Sequence, residues 1–123
     1  IKGALADTAK KIFRGTLNFK KGCSGSVGDE GDYAIQLDPH TKNISLPLLL
    51  CTEDDVVGNH ASSAGQLDAN TIYFLMTRGF SFEEARRIVV EALIRPIIDS
   101  MDSSLHDEVI EEVRRKLDSK EIK

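Results

Sequence analysis

The residues best suited to bind a metal or to attack a substrate lie between residues 51 and 65. Cys51 ends an apolar run, and His60 follows nine residues later among small residues. A neutral imidazole binds metals of borderline softness, and a thiolate binds soft metals and iron–sulfur clusters. The chain has no Cys-x-x-Cys pair and no close set of His and Cys residues, so it does not predict a complete zinc or cluster site. Cys51 and His60 are therefore candidate ligands of a site that other groups must complete.

Both residues also have structural interpretations. His60 can be a histidine whose ring nitrogens hydrogen-bond its own loop, and Cys51 can be a buried thiol that packs as a small apolar side chain. Cys51, His60 and Asp55 can also be combined into a nucleophilic triad, although no oxyanion-binding motif accompanies them. The residue types alone leave all three roles open: ligand, structural group and nucleophile.

Composition excludes several classes of protein. The 123 residues correspond to one domain or part of one. Sixteen basic and 20 acidic residues give a net charge of −4, which argues against binding to nucleic acid or to an anionic membrane. No apolar run approaches the roughly 18 residues that a membrane span needs. Without a signal-like start, we expect a cytoplasmic protein with reduced cysteines, and because Ile1 is not preceded by Met we expect a fragment of a longer protein.

The first part of the chain, residues 1–65, has the pattern of short strands separated by turns. Pro47 cannot donate to a ladder, so its strand is predicted to lie at a sheet edge, or Pro47 marks the start of the strand. The Gly-rich residues 28–31 predict an exposed loop, and residues 54–65 predict a small-residue loop that leads to the first helix. Apolar and polar residues alternate, as in half-buried strands, around residues 13–19, 33–37 and 44–50.

The second part, residues 66–123, has apolar residues at helical spacing. Asp68 is the predicted N-cap of a first helix, and Ser81–Glu84 has the pattern of a capping box that starts a second. Pro96 is expected to kink or end this second helix near residue 94. A third helix is predicted to start at Ser104. The whole pattern is therefore strands first and helices second.

Short motifs between residues 45 and 95 occur in a distinctive order. In sequence they are Pro47-x-Leu49, Asp55-Val56, His60-x-x-x-x-Gly65-Gln66-Leu67-Asp68, Tyr73-Phe74-Leu75-x-x-Arg78-Gly79-Phe80 and Glu84-Ala85-Arg86. This order and spacing resemble the C-terminal part of the SufB/SufD family, whose members belong to the Suf machinery for iron–sulfur cluster assembly. The upstream motif Phe13-x-Gly15-x-Leu17 fits the strand pattern of that family.

The resemblance implies a β + α fold with two parts. Residues 1–65 would form the terminal coils of a right-handed parallel β-helix, and residues 66–123 a C-terminal helical domain. The implied function is that of a non-enzymatic scaffold subunit, which pairs through its β-helix with a SufB- or SufD-type subunit or with itself. The helices would dock the SufC-type ATPase. The expected partner-binding residues are the charged ones around the turn between the first two helices: Arg78, Glu83, Glu84, Arg86 and Arg87.

The resemblance also gives roles to the candidate ligands. His60 matches a histidine at the cluster-forming interface, and Cys51 falls where the SufB-like scaffold also has a cysteine. Ala61 stands where that scaffold has a glutamate, and residues 60–63 depart from the usual SufD-like His-Gly-Ala-Thr, so the chain is neither a clear SufB nor a clear SufD. The implied cofactor is an iron–sulfur cluster, held transiently and shared with a partner subunit. The alternatives are a small hydrolase that uses Cys51 and His60, and a metal-free interaction domain.

Overall fold

The computed structural model describes residues 1–118, which form two compact units. Unit 1 is Ile1–Gln66, and unit 2 begins at Leu67. Within the described residues, unit 1 contains five strands and unit 2 contains three α-helices. The strands are β1 (Lys2–Leu5), β2 (Lys10–Phe19), β3 (Ser26–Gln36), β4 (Lys42–Cys51) and β5 (Val56–Gln66).

Consecutive strands of unit 1 alternate between two sheets, and all pairings are parallel. One sheet has the order β1-β3-β5 and the other the order β2-β4. Lys2 pairs with Tyr33, Lys10 with Lys42 and Ser26 with Val56. These pairs are separated by 31, 32 and 30 residues, so each strand pairs with the second strand after it at a nearly constant offset.

The space between the two sheets is filled at one end by the ring of Phe19. This side chain is buried, and a Cβ added at Gly28 or Gly58 would come within 2.9 Å or 2.8 Å of its ring. Both glycines therefore face the other sheet and leave the room that the ring occupies. Because side chains alternate along a strand, this contact also shows that Glu30 and His60 lie on the face that points between the sheets.

Two loop predictions were wrong for the same reason. Residues 28–31 lie inside β3, and most of residues 54–65 form β5. Their small residues are typical of loops in a local pattern. In the fold, Gly28 and Gly58 are needed in strands because the opposite sheet approaches them closely. The prediction for Pro47 is confirmed: it lies within β4, whose only neighbour among residues 1–118 is β2.

The contrast between two glycines of β5 provides a test of this packing. We expect Gly58→Ala to lower the free energy of unfolding by about 1–3 kcal/mol, because the new methyl group would overlap Phe19 and Leu49. Gly65→Ala is the matched control, since no atom lies within 4 Å of the Cβ position there. Urea unfolding of both variants checks the prediction. Equal stability of the two variants would contradict it.

The turns of unit 1 are joined by hydrogen bonds from one coil of chain to the next. The backbone N–H of Gly22 donates to Glu53 Oε2 at 2.8 Å, and Ser24 Oγ donates to Asp55 Oδ2 at 2.6 Å. The backbone N–H of Gly25 donates to the carbonyl of Asp55 at 2.7 Å. The turn before β3 is thus held against the turn before β5, and the carboxylates of Glu53 and Asp55 have structural partners.

Unit 2 consists of α1 (Ala69–Thr77), α2 (Phe82–Ile98) and α3 (His106–Asp118), with a short 3-10 helix at Ser103–Leu105 before α3. The predicted caps are confirmed: Asp68 accepts from the N–H groups at the start of α1, and Ser81 with Glu84 forms the capping box of α2. The prediction that Pro96 would end α2 near residue 94 was wrong. The helix continues to Ile98, because a proline in the last turn removes only one hydrogen bond near an end that fraying would weaken anyway.

Unit 2 is held by a small apolar core and by ion pairs between helices. The buried apolar side chains are Ile72, Ala85, Val90 and Ile98. Arg114 of α3 donates to both carboxylate oxygens of Glu91 in α2, at 2.7 and 3.1 Å, which lowers the pKa of Glu91. No helix within residues 1–118 has the length and hydropathy required to cross a membrane.

Candidate functional site

His60 lies in the middle of β5 and not in a loop. Its register partner is Glu30 of β3, and both side chains lie on the face between the sheets. His60 is nevertheless exposed, as is every residue from His60 to the end of β5. The space between the sheets is therefore open to solvent at His60, and the imidazole can be reached by a metal ion or a partner.

A cluster of polar side chains also lies in the space between the two sheets. Lys11 of β2 donates to Asp32 Oδ1 of β3, and this ion pair joins the two sheets. Asp32 is fully buried, while the Lys11 side chain is 19% exposed. Asn43 of β4 is the register partner of Lys11 and lies on the same face. These side chains give the interior a charged and hydrogen-bonding character at this end, opposite to the apolar end at Phe19.

Several oxygens of this cluster lack a hydrogen-bond partner. Among the described residues, the buried side-chain atoms without one are Glu30 Oε1, Asp32 Oδ2, Asn43 Oδ1 and Ser45 Oγ. Buried polar atoms are nearly always satisfied, by protein groups or by bound water or ions. All four atoms can accept a hydrogen bond, so donors such as N–H groups or water would satisfy them. Sequence reasoning missed this cluster, although extending the alternation of Phe13 and Gly15 backwards would have placed Lys11 on the same face.

Cys51 and His60 are not brought into contact by a hydrogen bond. Cys51 ends β4, where it is exposed and its thiol donates to the carbonyl of Glu53 at 2.9 Å. The interpretation of Cys51 as a buried thiol was therefore wrong. His60 lies four residues beyond Val56 in β5, about 13 Å along the strand at 3.3 Å per residue. Asp55 does not act as the third member of the triad, because its carboxylate accepts a hydrogen bond from the Ser24 hydroxyl.

The described residues do not form a complete metal site. Across residues 1–118, no group of three or more His, Cys, Asp or Glu side chains is placed to hold a metal ion. His60 therefore offers one imidazole at an open surface.

The charged residues around the α1–α2 turn differ in their surroundings. Arg78 is exposed, with its guanidinium 4.9 Å from the centre of the Phe74 ring. Arg86 is half-buried, 5.7 Å from the Phe82 ring and 3.5 Å from Glu83. These contacts leave both guanidinium groups near the surface, each beside an aromatic ring.

Two more of the predicted partner-binding residues have partners within unit 2, as Arg86 and Glu83 do. Glu84 closes the capping box, and the hydrogen bonds from the backbone N–H and hydroxyl of Ser81 lower its pKa. Arg87 forms an ion pair with Asp118 of α3 at 2.5 Å. Glu84 and Arg87 therefore contribute to the stability of the helices themselves, whereas Arg78 and Glu83 are exposed.

The same turn carries an exposed aromatic surface that the sequence analysis did not identify. We define this aromatic surface by its four residues, which are exposed by 70, 54, 42 and 47%: Tyr73, Phe74, Phe80 and Phe82. Aromatic and arginine side chains together are typical of the residues that dominate the energy of protein interfaces. A signal was present in the sequence, because four of the seven aromatic residues lie between residues 73 and 82.

Comparison with known proteins decides the family. The sequence model of the SufBD core domain of the SUF system for FeS cluster assembly matches residues 1–93. The chain belongs to the SufBD family. This match includes β1 to β5 and the α1–α2 turn, and so contains His60, Cys51 and the aromatic surface.

Curated relatives of this SufBD chain carry names from the same system. The iron-sulfur cluster assembly protein SufD of Bacillus subtilis is 29% identical over 116 residues, which are 94% of the chain and 26% of that protein. SufD of Escherichia coli is 20% identical over 117 residues, 94% of the chain and 28% of that protein. A SufBD family protein of Mycobacterium tuberculosis is 29% identical over 85 residues, 69% of the chain and 10% of that protein. The chain thus spans about a quarter of the two SufD relatives.

Proposed function

We propose that this SufBD chain acts as a non-enzymatic scaffold in the assembly of iron–sulfur clusters. The observation that carries the proposal is the match of residues 1–93 to the SufBD core domain. The SufD names of two relatives that align over 94% of the chain support it. In this role the cluster is the cargo of the protein, built transiently with a SufB- or SufD-type partner or a second copy of the same subunit. His60 would supply one ligand at the open end of unit 1.

We further propose that unit 1 forms the last coils of a right-handed parallel β-helix. The support is the constant offset of 30 to 32 residues between paired parallel strands and their alternation between two sheets. The stacked turns at Gly22 and Glu53 fit the same arrangement. In a β-helix, β5 would be the last strand of its sheet and would offer its free edge to the partner subunit.

Unit 2 is proposed to dock a SufC-type ATPase through the α1–α2 turn. The exposed aromatic surface and the adjacent Arg78 and Arg86 have the composition of an interface centre. Arg78 and Glu83 remain candidate contacts from the charged set, while Glu84 and Arg87 would act by holding the helices in place.

The ATPase contact can be tested by charge reversal. We expect the double variant Arg78→Glu, Arg86→Glu to weaken binding of the cognate ATPase at least about tenfold, since truncation of an arginine at an interface centre often costs more than 2 kcal/mol. The matched control is Arg95→Glu, Arg115→Glu, which reverses two exposed arginines that each pair within their own helix. Pull-down or calorimetry measures the binding, and circular dichroism checks the fold. Equal binding by the two double variants would contradict the docking surface.

The alternatives make different predictions for Cys51. A hydrolase that uses Cys51 and His60 would lose all turnover in Cys51→Ser, yet the two residues share no hydrogen bond among residues 1–118. A metal-free interaction domain would bind the ATPase but would not load a cluster with any partner. Anaerobic reconstitution of the full complex with iron and sulfide separates this last alternative from the scaffold.

A further inference from the structure

His60 and Glu30 form a cross-strand pair at the open end of the space between the sheets. They are register partners in the parallel β3–β5 pairing, so their Cα atoms are direct neighbours. Gly28 and Gly58, two residues earlier on the same strands, both face the Phe19 ring. Side chains two residues further along point to the same side, so Glu30 and His60 lie beside each other on the inner face.

The carboxylate of Glu30 is held at a defined depth. A Cβ at Gly15 on the opposite sheet would overlap Glu30 Oε1 and come within 2.7 Å of the Phe13 ring, so the absence of a side chain at Gly15 makes room for this oxygen. Glu30 Oε1 is buried and has no hydrogen-bond partner among the described residues. Glu30 Oε1 is therefore a hydrogen-bond acceptor to which no described group donates.

Among the nearby donors, Lys11 is already used and Asn59 lies on the other face, while the buried hydroxyl of Ser45 on β4 has no partner among the described residues. Lys11 donates to Asp32, which is two residues further along β3. Asn59, the neighbour of His60, donates to Asp29 at 2.8 Å, and these two residues occupy the outer face. The inner face of β5 beside Glu30 offers the imidazole N–H of His60, and this ring has a donor in its neutral form.

The Glu30 carboxylate and the His60 imidazole differ in their exposure to solvent. Glu30 Oε1 is buried, whereas His60 is exposed at the open end. A metal-binding histidine usually donates its second ring N–H to a carboxylate or carbonyl, which fixes the tautomer and the orientation of the ring. No hydrogen bond among the described residues reaches Glu30 Oε1, so a contact with His60 requires the ring to turn inwards. Such a contact would direct one ring nitrogen to Glu30 and the other outwards to a metal.

We propose that Glu30 is a positioning residue for His60: its buried carboxylate accepts the inward ring N–H and leaves the outward nitrogen free to bind a divalent metal. This inference rests on the proposed ligand role of His60. Glu30 itself does not contact the metal, and it acts only through the imidazole. This contact would satisfy the unpaired Oε1 and order the ring.

Cobalt(II) binding to the full-length protein with its partner subunit tests the proposal under anaerobic conditions. We expect Glu30→Met, which keeps the length of the side chain but removes the acceptor, to weaken Co²⁺ binding 10- to 100-fold. Glu30→Gln retains a carbonyl acceptor and should recover most of the affinity. Asp29→Ala is the matched control, since it removes the adjacent carboxylate on the outer face and should leave Co²⁺ binding unchanged.

The tautomer of His60 provides a readout that a loss of stability would not reproduce. Long-range ¹H–¹⁵N NMR should show a single neutral tautomer in the parent and in Glu30→Gln, and a mixture in Glu30→Met. If His60→Ala weakens Co²⁺ binding but Glu30→Met does not, the positioning role is overturned and the ligand role of His60 stands. If His60→Ala leaves Co²⁺ binding unchanged, both are overturned.

Discussion

Replacement of His60 by alanine is expected to reduce cluster loading of the complete Suf complex by at least tenfold while the protein stays folded. The ring is exposed, so its removal should lower the free energy of unfolding by no more than about 1–3 kcal/mol, the cost of leaving the buried Glu30 oxygen without its proposed donor. In the role that we propose for His60, the same substitution also removes one metal–nitrogen bond to the cluster. Absorbance after anaerobic reconstitution with iron and sulfide measures the loading.

His40→Ala is the control for this experiment. His40 is an exposed histidine in the same unit, in the turn between β3 and β4, and no role in binding is proposed for it. Its variant should load cluster as the parent does. The ligand role of His60 would be refuted if His60→Ala loaded the parent amount, or if its loading fell only in proportion to the amount of folded protein.

A second large effect is expected at the ion pair between the sheets. Lys11→Met should lower the free energy of unfolding by about 3–5 kcal/mol, because it leaves the fully buried Asp32 without a counter-charge. One oxygen of Asp32 already has no partner among the described residues. Urea unfolding measures the loss. Lys10→Met is the matched control, since Lys10 precedes Lys11 on β2 and is exposed.

A double variant separates the charge from the packing. In Lys11→Met, Asp32→Leu both charges are gone, and apolar side chains of similar size replace the pair, which often costs little. We expect this double variant to recover most of the stability lost in Lys11→Met. If it is as unstable as the single variant, the loss arises from packing around residue 11 and not from the unpaired carboxylate.

Local signals predicted the helical unit better than the sheets. Asp68 and the Ser81–Glu84 box act within one turn of their own helix, so a few adjacent residues contain the whole interaction. The strand β5 was missed in part because its Gly58 is explained by Phe19, which is nearly 40 residues away. Non-local packing of this kind overrides local preference.

The candidate site was predicted only in part, for a similar reason. His60 was identified from its residue type and from the family motifs, but its neighbour Glu30 was not. The acidic residue that the sequence suggested as a partner of His60 was Asp55, whose carboxylate accepts a hydrogen bond from the Ser24 hydroxyl. The pairing of Glu30 with His60 follows from an offset of 30 residues between strands, which no pattern within a single strand reveals.

The offset between paired strands also determines how unit 1 can form during synthesis. Every pairing joins a strand to one made about 30 residues earlier, and none of them is a local hairpin. Each pairing must therefore close a loop of about 30 residues, which slows folding relative to a chain with local contacts. This slower folding is partly offset because each strand pairs with one that is already synthesised. β3 can add to β1, β4 to β2 and β5 to β3 in the order in which they leave the ribosome. The edge of unit 1 that carries His60 is then the last to form, so the residue that we propose as a ligand is placed only after the strands that support it.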